Sequence, residues 1–185
     1  LMVAIDLQLP PSELTKERTV CSIQAAEKYQ IPPIALLAVA KVEGGKPGQW
    51  VKNTNGTYDV GSIQLNTSYL KTLAKYGITS THAASAGCFP YEVAAWRIRG
   101  HIMKDKGDFW TKIANYHSYT PKYNNIYRSK LLSVAYKMTA RQQGNSGKIV
   151  RVSSHVAQSK KLQQREQTGW STQSIYTPRA IYHTD

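Results

Sequence analysis

The chain has 185 residues, enough for one domain with a sizeable core, and 41% of them are hydrophobic without any long apolar stretch, which argues against a membrane-spanning helix. Its 24 basic and 11 acidic residues give a net charge of +13, suited to an anionic partner such as nucleic acid, acidic lipid or a carboxylate-rich cell wall. Zinc-ligand spacing, a phosphate-binding glycine loop and an RNP-like aromatic strand are all missing from the sequence, so a specific nucleic-acid role is disfavoured.

In chain order, Leu1 to Pro11 lacks a basic start and Asp6 interrupts its apolar run, so it does not read as a signal peptide. Residues 1–19 are taken as an N-terminal extension. A first helix carries Val20, Ile23, Ala26 and Glu27, with Cys21 near its start, and Pro32-Pro33 fixes the start of a second. The second helix is the apolar run from Ile34 to Val42, and Glu43 stands at its end, followed at once by Gly44-Gly45. Burial and the partial negative charge of a helix C-terminus both disfavour an ionised carboxyl there, so both push it toward a general acid's working range. A Glu that only reaches water beside the glycines explains the position equally well. Among the eleven carboxylates, however, only Glu43 combines an apolar approach with glycines that leave room for a ligand.

Asn53 to Asn66 reads as a small β-ribbon: Asn55-Gly56 is a hairpin turn signal, Tyr58, Val60, Ile63 and Leu65 alternate around it, and Gly61 allows a close approach to the backbone. Asp59 lies in this ribbon. A helix-end carboxyl facing a ribbon carboxyl suits glycosidic cleavage, where a protonated acid serves the leaving oxygen and an ionised one stabilises oxocarbenium-like charge. Asn66-Thr67-Ser68 caps a helix carrying Leu70, Leu73 and Ala74 that Gly77 ends. Pro90 opens another with Val93, Ala94, Trp96, Ile98 and Ile102, ended by Gly107, and Phe109 to His117 and Tyr127 to Met138 are further helices. Trp96 and Tyr136 are assigned to the core. The expected fold class is α+β, mainly α, with several short helices around one small ribbon. Cys21 and Cys88 either form a disulfide in an oxidising compartment or are two buried free thiols.

Glu43-Gly44, Gly61-Ser62-Ile63-Gln64 and Ala114-Asn115-Tyr116-His117-Ser118 resemble, in order and spacing, the three signature segments of the soluble lytic transglycosylase domain, the lysozyme-like enzymes that cut peptidoglycan. Tyr116-His117-Ser118 with Thr120-Pro121, Asn124 and Tyr127 resembles the branch associated with conjugation, type IV pilus and secretion machines. The resemblance runs from about Cys21 to Met138, within a domain set at 20–140. Asn53 to Asn66 also resembles the hairpin of animal C-type lysozymes, with Asp59 at their second carboxylate. Two positions depart from the commonest pattern: Gly44 stands where Ser follows the acid, and His117 where Asn follows the tyrosine.

The resemblance implies a lysozyme-like domain in which Glu43 and Asp59 are catalytic and Gly61, Gln64, Tyr116, His117 and Ser118 bind substrate. It further implies a Cys21–Cys88 bridge, an anhydro product, no metal or organic cofactor, and peptidoglycan as partner in the periplasm or cell envelope. Hydrolysis of the same bond by Glu43 and Asp59 is the nearest alternative, and a non-catalytic wall-binding module is another. Residues 141–185 are rich in Ser, Gln, Thr and basic side chains and read as a basic, disordered tail, either a linker or a dock for machine subunits.

Overall fold

The computed structural model describes residues 11–153, with side chains over 12–140; most of the basic tail lies outside the described residues. The compact unit that holds the core ends at Gly144. Helix α1 (Pro11–Lys28) starts ten residues before Cys21, inside the segment assigned to an extension, with Glu13 in its first turn where the helix dipole favours an acid. Helix α2 (Pro33–Glu43) follows, and then three short antiparallel strands, β1 (Trp50–Lys52), β2 (Tyr58–Val60) and β3 (Leu65–Asn66), in that order across the sheet. Asp59 pairs with Val51 on one side and Asn66 on the other. The ribbon thus gains a strand before Asn53 that the sequence pattern hides, because all of β1 is exposed.

Helix α3 (Thr67–Leu73) begins at the Asn66 cap, whose side chain accepts from Ser68 N, and passes through a 3₁₀ turn (Ala74–Tyr76) to Gly77. Helix α4 (Ser80–Ala84), too short and polar for a period to reveal, is held by a capping box between Thr79 and His82. Helix α5 (Phe89–Lys104) carries the longest apolar pattern after α2. Helix α6 (Phe109–Ala114) is capped by Asp108 and stops three residues before His117, where turn bonds replace the helical ladder. Helix α7 (Pro121–Ser153) starts earlier and ends later than Tyr127 to Met138. Among the described residues the architecture is α+β and mainly α, as the sequence pattern indicates.

The core sits between α1, α2 and α5, which pack mutually, and it includes Ala35, Leu36, Ala38, Val39 and Ala40 of α2 together with Ile63, Leu65, Ile98, Ile113 and Leu131. Each fully buried Leu or Ile contributes on the order of 2 kcal/mol. The thiols are bridged: Cys21 on α1 and Cys88 at the N-cap of α5 form a disulfide with Cα atoms 4.7 Å apart. Closing a loop of that 67-residue separation is worth about 4 kcal/mol on the chain-entropy account.

Two core assignments are corrected. Trp96 is 44% exposed and meets Tyr76 edge to face, because α5 buries Tyr91, Ala94, Ala95 and Ile98 and position 96 lies on the opposite side of the helix. Tyr136 is 75% exposed, since α7 buries Asn124, Tyr127, Leu131 and Ala135 and the next residue is turned about 100° away.

Candidate active site

Glu43 is the last residue of α2, whose ladder stops because Gly44 takes the left-handed conformation at φ 61° while its N–H still reaches Ala40 O. Gly45 behind it is buried, and a Cβ there would stand 2.2 Å from Gly61 O and 2.6 Å from Gln64 Nε2. From α1, Arg18 Nη2 donates to Gly45 O at 2.9 Å. Gly61, at φ 74°, is pressed just as closely on α4: a Cβ would stand 1.9 Å from Ala83 O. The room at Gly61 is therefore taken by protein backbone and not by a ligand. Gln64, itself at φ 50°, donates through Nε2 to Gly61 O at 2.8 Å, so it braces this joint from below the site.

A cavity of about 160 Å³ opens over Glu43, lined by Val42, His117, Tyr123, Ile126, Tyr127 and Lys130 as well. A separate cavity of about 340 Å³, lined by Asp105, Asn115, Tyr119 and Asn124 among others, contains none of the signature carboxyls. Tyr127 Oη donates to Glu43 Oε1. Burial raises the Glu43 pKa to about 7; the negative charge of Asp59 adds to the rise, and the Tyr127 hydrogen bond, Arg97 and Lys130 oppose it. The Tyr127 hydroxyl is held well above its ordinary range by burial and by the Glu43 charge, so it stays a donor.

Asp59 has a different setting. It lies in a strand at the ribbon surface, and Asn66 Nδ2 donates to its Oδ1 at 2.8 Å while also bonding Thr57 Oγ1 at 3.0 Å. His117 stacks on Tyr127 with ring centres 4.8 Å apart and planes within 11°. Burial lowers its pKa, which disfavours the charged ring, while the Asp59 charge opposes that shift. The site thus sets a carboxyl whose burial favours its protonated form within reach of the charge of one held in a polar hydrogen-bond network.

The structure brings Glu43 and His117 to one cavity, with the Asp59 charge acting on both, and sets other predicted residues elsewhere. Tyr116 is buried, and its hydroxyl donates to Ile63 O at 2.8 Å and not to the acid. Ser118 Oγ accepts from Thr120 N at 3.1 Å, shaping the entry to α7. The acid's hydrogen-bond partner, Tyr127, enters the sequence reading only within a motif and as the start of a helix; four residues before Leu131 on the buried line of α7, it had a visible signal. Arg97 was overlooked, although it falls between Val93 and His101 at helical spacing on the packed side of α5. Among the described residues no group of three or more His, Cys, Asp or Glu side chains could hold a metal ion.

Over 108 residues the chain is 32% identical to the invasion protein IagB of Salmonella typhimurium, a match covering 57% of this chain and 67% of that protein. The same figures hold for invasion protein IagB of Salmonella typhi. Protein IpgF of Shigella flexneri is 29% identical over 121 residues, covering 65% of this chain and 79% of the relative. No family model matches the chain.

Proposed function

Since the chain belongs to the family of the invasion protein IagB, we propose that it is a peptidoglycan lytic transglycosylase acting at Glu43. The single observation that carries this reading is a helix-end carboxyl whose pKa is raised to about 7 at the floor of a cavity, with the Asp59 charge close enough to act on it. A group that is half protonated near neutral pH can both give and take a proton within one turnover.

Glu43 delivers its proton to the oxygen joining N-acetylmuramic acid C1 to N-acetylglucosamine O4. The C1–O bond breaks, the leaving sugar departs with a free hydroxyl, and the positive charge spread over C1 and the ring oxygen faces Asp59. The muramyl 6-hydroxyl then attacks C1 and passes its proton to the Glu43 carboxylate. The acid is restored, no water is consumed, and the product is the 1,6-anhydro sugar. His117 on Tyr127 forms one wall, and Tyr127 limits how far the acid can turn.

A second reading is hydrolysis of the same bond, favoured by Asp59 in its Asn66 hydrogen bond, where it can serve as nucleophile or orient water. The wall substrate requires a periplasmic or envelope location. The name of IagB as an invasion protein supports local wall opening for a secretion-type machine. Among the described residues no helix is long and apolar enough to cross a membrane.

Mass spectrometry of soluble products from purified peptidoglycan, with wild type and Glu43→Gln side by side, tests the assignment. Anhydromuropeptides from wild type alone are expected. Reducing ends from wild type alone move the reaction to hydrolysis, equal release by both chains removes Glu43 from the chemistry, and no products from either chain leave a wall-binding module.

A further inference from the structure

Arg97 projects from α5 with its guanidinium carbon 4.2 Å from the ring centre of Tyr69 on α3 and 4.7 Å from that of Tyr116. Aromatic faces hold a guanidinium by its plane and leave its N–H groups unused. Other arginines of the domain spend theirs: Arg18 donates to Gly45 O, Arg99 to Gln30 O and Arg128 to Asp108. Among the described residues no acceptor takes a hydrogen bond from Arg97 and no carboxylate pairs with it. None of its nitrogens is a buried atom without a partner, so its donors reach solvent and are free to take an acceptor from a ligand. The Arg97 charge also reaches the site itself, acting on Glu43, Tyr116, His117 and Tyr127.

We propose that Arg97 anchors a carboxylate of the wall glycan beside Glu43, its guanidinium oriented in advance by the Tyr69 and Tyr116 rings and bound through paired N–H groups. The proposal rests on the peptidoglycan reading. The planar fork of Arg matches a carboxylate in two parallel hydrogen bonds, which a lysine cannot reproduce. In this polymer the carboxylate is either the lactyl group of a peptide-free muramyl residue or an acid of the stem peptide. An arginine that only braces two tyrosines makes no distinction between acid and ester.

The test is calorimetric binding by the full chain carrying Glu43→Gln, which leaves ligands uncut. The ligands are a peptide-free muramyl oligosaccharide, its methyl ester, the peptide-bearing oligosaccharide, and that compound with its peptide acids esterified. The acid is expected to bind at least about tenfold more tightly than its ester, the value of a charge-assisted pair. Adding Arg97→Gln removes the preference and Arg97→Lys keeps part of it. Preference within the peptide-free pair assigns the lactyl group, and preference only within the peptide-bearing pair assigns the stem. A preference that survives Arg97→Gln overturns the anchor, since another cation such as Lys130 of the Glu43 cavity would then hold the acid. Equal affinity in both pairs overturns the anchor and leaves glycan binding standing, whereas no affinity for any glycan overturns both.

Discussion

Glu43 keeps its proton because α2 carries it out of water, and the same burial links its ionisation to folding. Its pKa lies near 7 in the folded chain against an ordinary 4.5. A carboxyl raised in this way favours the folded state in its protonated form, so its contribution is complete at low pH and is lost as pH rises from 4.5 through about 7. Above that window the ionised carboxyl costs the fold up to about 3 kcal/mol. Glu43→Gln has no proton to lose: its thermal midpoint should match wild type near about pH 4 and exceed it near about pH 8. Melting curves at both values check this, and equal midpoints at the higher pH would show a carboxyl that reaches water. At this scale the sequence revealed the acid, because an apolar approach ending in two glycines is a local pattern. It hid Arg97 and the role of Tyr127, since their partners lie on distant elements: Tyr127 Oη reaches across 84 residues to Glu43.

Elements position the acid through glycines more than through side-chain packing. Gly45 of the α2 exit, Gly61 of the ribbon and Ala83 of α4 bring backbone against backbone. Gly61→Ala would drive a methyl group into Ala83 O and place a non-glycine residue at φ 74°, so a loss of about 3 kcal/mol or more is expected. Urea unfolding of the variant measures it, and a loss under about 1 kcal/mol would mean that the ribbon and α4 slide apart freely. Helices α2, α3 and α5 were legible from apolar spacing, prolines and caps. Strand β1 and helix α4 were not, because three exposed residues and a five-residue helix with only two alanines as apolar positions show no period. The exposed sides of α5 and α7 were misassigned where a large aromatic, Trp96 or Tyr136, was taken as evidence of burial without regard to its angle on the helix.

The whole chain carries a charge of +13, and under the proposed function a long-range field of that sign draws a carboxylate-rich wall toward the site before any contact forms. Retention on purified sacculi should therefore weaken several-fold between about 0.05 and 0.5 M salt, as the screening length shrinks to a few ångströms. Pull-down across that range checks it, and salt-independent retention would place the affinity in sugar contacts alone. Net charge was readable from composition, but its arrangement around Glu43 needed the fold. The backbone joint at Gly45, Gly61 and Ala83 has a mechanical consequence for the proposed chemistry. A dovetail cut in rigid material has no play, and side-chain exchange elsewhere cannot open or close the gap between helix end and ribbon. A change of reaction in this scaffold must come from replacing the groups that face the cavity, since its jaws are fixed by main chain.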